Sequence, residues 1–318
     1  MIKLDKYSSE FELKYVNIAY GKVKSGKVDC NTFVDQCKNF IPAEIIEHNK
    51  SEEEYIKKLI LLPYYSIKEI INNIEKNDKN KKMYEKNVFV WKNDKKIRKS
   101  PFEEFYNCFE KVRDANVDKD DKKLSIHMTE NLGITVCPYC NRDYINSRSN
   151  KHSGNQLDHF YNRSSYPFLA VSLYNLIPSC SVCNHIKNAQ KENLVSPFDE
   201  NYNFENSEFL FNIKDDDIKI DWKKFDNEPI KENVKVFELK EAYKIHETME
   251  VKDILEKRMT YVSSQRNEII HLMKEANLTI TEQHLKELIY GKEITQEDYK
   301  TMPLGKMKHD IFKKLRVY

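Results

Sequence analysis

Four of the chain's seven cysteines stand in two Cys-x₂-Cys pairs, Cys137-Pro-Tyr-Cys140 and Cys180-Ser-Val-Cys183, separated by 39 residues. Zinc takes four sulfur ligands at tetrahedral corners, about 2.3 Å from each. Two residues between paired cysteines let one tight turn fill two corners, so both pairs together close distant segments around one ion. For a small segment with few glycines and little apolar sequence, such a site contributes on the order of 10 kcal/mol or more to folding. A closed four-cysteine site has no open position, so this zinc is expected to be structural. Neither pair has the βαβ setting of a redox motif. Cys30, Cys37 and Cys108 stand alone and are expected to be small buried hydrophobes.

Three regions follow from the pattern on either side. Residues 1–125 are expected to form a helical N-terminal region. Ser51…Glu54 and Ser66…Glu69 both fit the capping box. Ile67, Ile70, Ile71 and Ile74 form one apolar helical stripe, and Pro63 separates the two helices. Asn93-Asp94, between Asn87-Val-Phe-Val-Trp91 and Ile97, predicts a short hairpin. Residues 126–200 carry the knuckles and are richer in Cys, Asn, Ser, Pro and Tyr. Residues 201–318 open with an acidic, strand-containing stretch: Asp215-Asp216-Asp217 lies between Phe209-Leu-Phe211 and Ile218-Lys-Ile220. Neighbouring acids in a loop diverge, so these three read as a solvated turn rather than a metal site. Helix resumes near residue 234, with apolar Leu239, Ala242, Tyr243, Ile254, Leu255 and Val262. A helix near 280–290 has Thr279…Glu282 as a capping box and Gly291 as its stop, and Leu304–Leu315 is amphipathic and basic. The expected fold class is mainly α with a small central α+β module.

Composition narrows the function classes. The 318 residues include only 6 Gly and 9 Pro, which excludes collagen-like and linker-like chains. No window of about 18 apolar residues exists, and MIKLDKYSSE lacks the apolar run of a signal peptide, so a cytoplasmic protein without membrane contact is expected. Lys and Arg number 53 against 51 Asp and Glu, a net charge of +2 that argues against a polycationic tail. That total hides +7 over residues 76–99, +4 over 137–191 and −7 over 192–232. The basic segments suit a phosphate backbone, although lysine is abundant throughout.

Between the knuckles, Gln156-Leu-Asp158-His159-Phe160 sets an acid beside a histidine on a short apolar segment. In a strand these side chains point to opposite faces, so one can hold a metal while the other faces a substrate. Asn184 directly follows a zinc ligand, and Lys187 falls three residues later on the same helical face. A divalent cation on Asp158 and Asn184 with open water sites, beside a neutral His159, suits hydrolysis of a phosphodiester. Arg142, Arg148, His152 and Arg163 are further phosphate-contact candidates, and solvated surface is the plain alternative for each. Tyr161 and Tyr166 are candidates for stacking on bases, with packing around the zinc the stronger expectation.

The order Cys-x₂-Cys … Asp-His … Asn-Leu … Cys-x₂-Cys-Asn-x₂-Lys over residues 137–191 resembles the HNH endonuclease family, the ββα-metal fold with a four-cysteine zinc. That resemblance implies His159 as general base, Asp158 as neighbouring ligand of a Mg²⁺ or similar ion, and Asn175 as the residue fixing the base-bearing loop. It implies Asn184 as second ligand of that ion, with His185 as its competitor, and Lys187 as a phosphate contact. The longer strings Cys-Pro-Tyr-Cys-Asn-Arg, Leu-Asp-His-Phe-Tyr and Ser-Leu-Tyr-Asn-Leu-Ile-Pro-Ser-Cys are similar to HNH subunits of bacterial anti-phage systems such as Septu and related retrons. Those subunits work beside an ATPase, so a protein partner is implied. The expectation is a DNA endonuclease. An RNA-cleaving enzyme and a non-catalytic zinc module that binds nucleic acid or protein are the alternatives.

Overall fold

The computed structural model describes residues 1–117, 121–188, 193–204, 207–214 and 217–318, without the side chains of 213–218. Asp215 and Asp216 of the acidic turn lie outside the described residues.

The N-terminal third is helical. Its elements are α1 (Ser9–Ser25), α2 (Cys30–Cys37), α3 (Glu52–Ile60), α4 (Tyr64–Glu75) and α5 (Asp78–Val88). Each begins where the sequence offers its free N–H groups a partner or a proline. The Ser8 hydroxyl accepts from Phe11 N–H, Asp29 caps α2, and Ser51 with Glu54 makes the expected capping box. The second expected box is absent. Pro63, whose φ is already fixed near the required value, is the N-cap of α4, so Ser66 lies buried inside the first turn. The isoleucine stripe of α4 is buried as expected.

From α5 the chain passes into the hairpin β1 (Phe89–Lys92) and β2 (Lys95–Arg98), then α6 (Ser100–Arg113) and α7 (Leu124–Asn131). Asn93 and Asp94 take φ of 47° and 58°, the conformation a two-residue hairpin turn requires. Next come β3 (Gln156–His159), β4 (Leu176–Ser179) and α8 (Ser181–Lys187). β3 and β4 are antiparallel, with Asp158 opposite Ile177 and His159 opposite Leu176.

The remainder holds the hairpin β5 (Phe211–Lys214) and β6 (Asp217–Ile220), then α9 (Lys231–Val236), α10 (Leu239–His246), α11 (Lys252–Thr260), α12 (Ser263–Glu275), α13 (Glu282–Tyr290) and α14 (Gly305–Leu315). Thr281 rather than Thr279 caps α13, its hydroxyl accepting from His284 N–H. Gly291 ends that helix at φ 92°, where a side chain would be strained. No helix among the described residues is long and apolar enough to cross a membrane.

One apolar core runs through all three regions. Phe33 stacks on Phe105 at 4.4 Å between α2 and α6. The Tyr15 hydroxyl of α1 donates to Val171 O at 2.9 Å, and the Ser172 hydroxyl to Leu59 O at 3.1 Å. These bonds seat the segment before β4 on the N-terminal helices. The chain is therefore mainly helical, with small antiparallel hairpins and a buried cysteine cluster.

Candidate functional site: a cysteine cluster beside a basic cleft

The first knuckle is a tight turn that closes with Asn141 at φ 52°. The second is formed as β4 runs straight into α8, where Cys180 is the N-cap and Cys183 lies in the first turn. All four cysteines are buried, and their sulfur atoms lie within 4.8 Å of one another. Sulfurs around a tetrahedral zinc stand about 3.8 Å apart, so this donor set fits that ion. Among the described residues no other group of three or more His, Cys, Asp or Glu is placed to hold a metal.

Residue alternation along β3 sends Gln156 and Asp158 toward α8, where Asn184 and Lys187 meet them. The Asn184 amide donates to Gln156 Oε1 at 2.7 Å. Lys187 Nζ donates to Asp158 Oδ1 at 3.1 Å and to His159 O at 2.8 Å, and lies 3.0 Å from Asp158 Oδ2. The Tyr139 hydroxyl, from between the first two cysteines, donates to Asp158 Oδ2 at 2.6 Å. Lys187 is 1 % exposed and Asp158 4 %.

Lys187 therefore does not present itself to a phosphate, as the sequence led us to expect; it is the buried counter-ion of Asp158. This also bears on the expected Mg²⁺ site. Asp158 and Asn184 offer the hard oxygens such an ion prefers. However, the carboxylate is already held by an ammonium and a hydroxyl, and the amide by Gln156. As arranged, the pair does not form a free donor set, and the exposed His185 does not complete one.

His159 leaves β3 on the opposite side. Its Nε2 lies 2.8 Å from Ala170 O. A carbonyl only accepts, so Nε2 carries the proton and Nδ1 keeps its lone pair. Nδ1 makes no hydrogen bond among the described residues. Burial holds the imidazole down to about 3, against the pull of the Ala170 carbonyl and helped by the nearby charges of Arg163 and Lys187. The ring is thus neutral at ordinary pH, and the edge of Phe109 packs against it at 4.4 Å.

Asn175 is fully buried and fixes the loop that follows His159. Its Oδ1 accepts from Tyr161 N–H at 2.8 Å, while Nδ2 donates to Tyr161 O at 3.0 Å and Leu169 O at 3.3 Å.

His159, Asp158, Asn184 and His185 line a cleft of about 1220 Å³, open to solvent and walled on its far side by α6. Arg113, Lys123 and Arg163 line it too, with Asp114 paired to Arg113. Arg163 sits 4.4 Å from the Tyr106 ring centre and 4.8 Å from that of Phe109, and its buried Nη1 has no hydrogen-bond partner. An orphaned guanidinium donor beside a neutral histidine is an arrangement that welcomes an anion.

The other candidates are placed elsewhere. Arg142 donates to His246 Nε2 at 3.0 Å, and His152 pairs with the Ser149 hydroxyl at 2.9 Å. Arg148 does not line the cleft. Tyr161 stacks on Tyr64, and Tyr166 donates to Glu75, so both serve packing. Tyr139, Tyr106 and Phe109 were missed in the sequence. The i, i+3 spacing of the last two on α6 was the available signal. No family profile, curated protein or solved structure matches the chain.

Proposed function

We propose that the chain is an HNH-type endonuclease that hydrolyses phosphodiester bonds in DNA. The observation that carries this reading is His159. Its Nε2–H is anchored on a backbone carbonyl, its Nδ1 is left without a partner among the described residues, and it stands at the wall of a basic cleft beside a four-cysteine cluster.

The residues divide the work. Nδ1 of His159 takes a proton from the attacking water, and Ala170 O keeps the ring oriented while its charge rises. Arg163, with Arg113 and Lys123, holds the phosphate oxygens and offsets their growing charge. Asn175 fixes the loop that carries the base. The cysteine cluster, loaded with zinc, pins α8 against β3. The resemblance also implies a Mg²⁺ or similar cation on Asp158 and Asn184, but Lys187, Tyr139 and Gln156 already hold those groups, so the residues as arranged do not fit it. By resemblance, the setting is bacterial defence beside an ATPase or sensor partner.

Supercoiled plasmid incubated with Mg²⁺ tests the reading. Wild type should nick it, and His159→Ala should lose at least about a hundredfold in rate. Equal nicking by the two proteins would sink the assignment. Labelled RNA run beside DNA separates the substrate classes.

A further inference from the structure

The hairpin β1–β2 carries features that the cleft alone does not explain. Trp91 is 68 % exposed on a four-residue strand, so its indole adds little to the core. The register places it opposite Lys96, with Phe89 opposite Arg98, so these four share one face. Lys92 and Lys95 flank the turn, and neither has an ion-pair partner among the described residues. The segment 76–99 around them holds ten Lys and Arg against three Asp and Glu.

The same face leads to the cleft. Arg98 lies 3.9 Å from the centre of Tyr106, whose ring also carries Arg163 at 4.4 Å. Arg163 continues to Phe109 at 4.8 Å, and Arg113 lies 6.0 Å from that ring. Tyr106, Phe109 and Arg113 recur every third or fourth residue on α6, so helical periodicity builds the row. Phe109 in turn touches His159. Cations and rings therefore alternate without a break from the hairpin to the candidate base.

We propose that the β1–β2 hairpin grips an unpaired stretch of nucleic acid and feeds it along the Arg98–Arg163–Arg113 row into the cleft. This rests on reading the cleft as the phosphodiester site. Trp91 stacks on a base, Lys92 and Lys95 draw the backbone by charge, and the arginines track successive phosphates. A flat indole needs an open base face, which an intact duplex offers only at its ends. Single strands are therefore the preferred ligand.

Fluorescence anisotropy with full-length His159→Ala, which binds without cutting, tests the grip. The labelled ligands are a single-stranded oligonucleotide and a blunt duplex of the same sequence. The single strand should bind more tightly. In this background Trp91→Ala should weaken its binding by roughly 5- to 100-fold, and Trp91→Phe should restore most of it. Lys92→Glu with Lys95→Glu should weaken binding and flatten its salt dependence. All three positions are exposed, so melting temperatures should match the parent and exclude misfolding.

Single-strand binding by Trp91→Ala equal to the parent would overturn the proposal, as would tighter binding of the duplex. The nuclease reading is judged separately. Should wild type and His159→Ala nick plasmid alike, that reading falls, and the anisotropy series alone decides the grip.

Discussion

Three side chains at or behind the cleft wall depend on how burial treats charge. Lys187 and Asp158 are each less than a twentieth exposed, and neither is tolerable there without the other. Lys187→Ala would leave a buried carboxylate with the Tyr139 hydroxyl as its remaining partner, so it should cost about 3–5 kcal/mol in urea unfolding. Adding Asp158→Asn should recover part of that loss, because a neutral amide still accepts from Tyr139 without leaving a charge. Unchanged stability of Lys187→Ala together with weaker nucleic-acid binding would return Lys187 to a phosphate-contacting role. His159 shows the opposite case, a group kept uncharged. Its folded value of about 3 lies below the usual 6.5 because burial disfavours the imidazolium. Below about pH 6.5 the unfolded chain takes up a proton that the folded chain refuses until about pH 3. This contribution to stability is therefore full above 6.5 and declines as pH falls through that window. Melting temperatures of the zinc-loaded protein between about pH 7 and pH 5 should fall faster for wild type than for His159→Gln. Parallel curves would mean that the imidazole titrates normally.

At the scale of elements, local chemistry was readable and contact across the chain was not. Asn93-Asp94 signalled its turn, and Ser51 with Glu54 its helix start, because both features are settled within four residues. The Ser66 signal failed for an equally local reason: Pro63 had already begun the helix, so the same Ser-x-x-Glu spacing fell inside it. The opposite faces of Asp158 and His159, and the shared face of Asn184 and Lys187, followed from strand and helix periods. What those faces meet did not follow. Nothing local tells that Tyr139, 19 residues away, reaches Asp158, or that Lys187 turns inward to it. The loop between β3 and β4 makes the cost of such contacts measurable. Asn175→Ala would orphan Tyr161 N–H and Tyr161 O and leave Leu169 O with Ser172 N–H alone, so it should destabilise by roughly 2–4 kcal/mol. Under the proposed function it should also lower nicking, because Phe160 and Tyr161 directly follow His159. Gly154→Ala is a second test, since its added carbon would run into the Asn146 carbonyl just before β3. Calorimetry should show a lower melting temperature for both variants, and wild-type values would mean that the segments flanking β3 yield at little cost.

At the scale of the whole molecule, the cysteine cluster joins the regions that composition separates. Ile2 N–H donates to Pro138 O at 2.9 Å, inside the first knuckle. The Tyr243 hydroxyl of α10 donates to Cys140 O at 2.7 Å, and Phe237 stacks on Tyr139 at 4.5 Å. Asn141, the residue after that knuckle, donates to Tyr299 O at 2.8 Å and accepts from Lys306 N–H at 3.1 Å. These partners lie about a hundred residues or more from the cysteines, so the boundaries at 125 and 200 could not reveal them. The helices α2 and α6, by contrast, pack on each other through rings such as Phe33, Phe102 and Phe105, a part of the core that the cysteines do not touch. Removal of zinc should therefore have a graded result. A chelator, or Cys183→Ser, removes an interaction on the order of 10 kcal/mol. Hydrogen exchange should then lose protection across 137–188 and also in α10 and around residues 299–310, while α2, α4 and α6 keep theirs. The cleft needs β3 and α8 on one side and α6 on the other, so nicking should vanish before the N-terminal helices melt. Loss of protection confined to 137–188 would show that the C-terminal helices pack without the cluster. Simultaneous loss everywhere would show one cooperative unit closed by the metal.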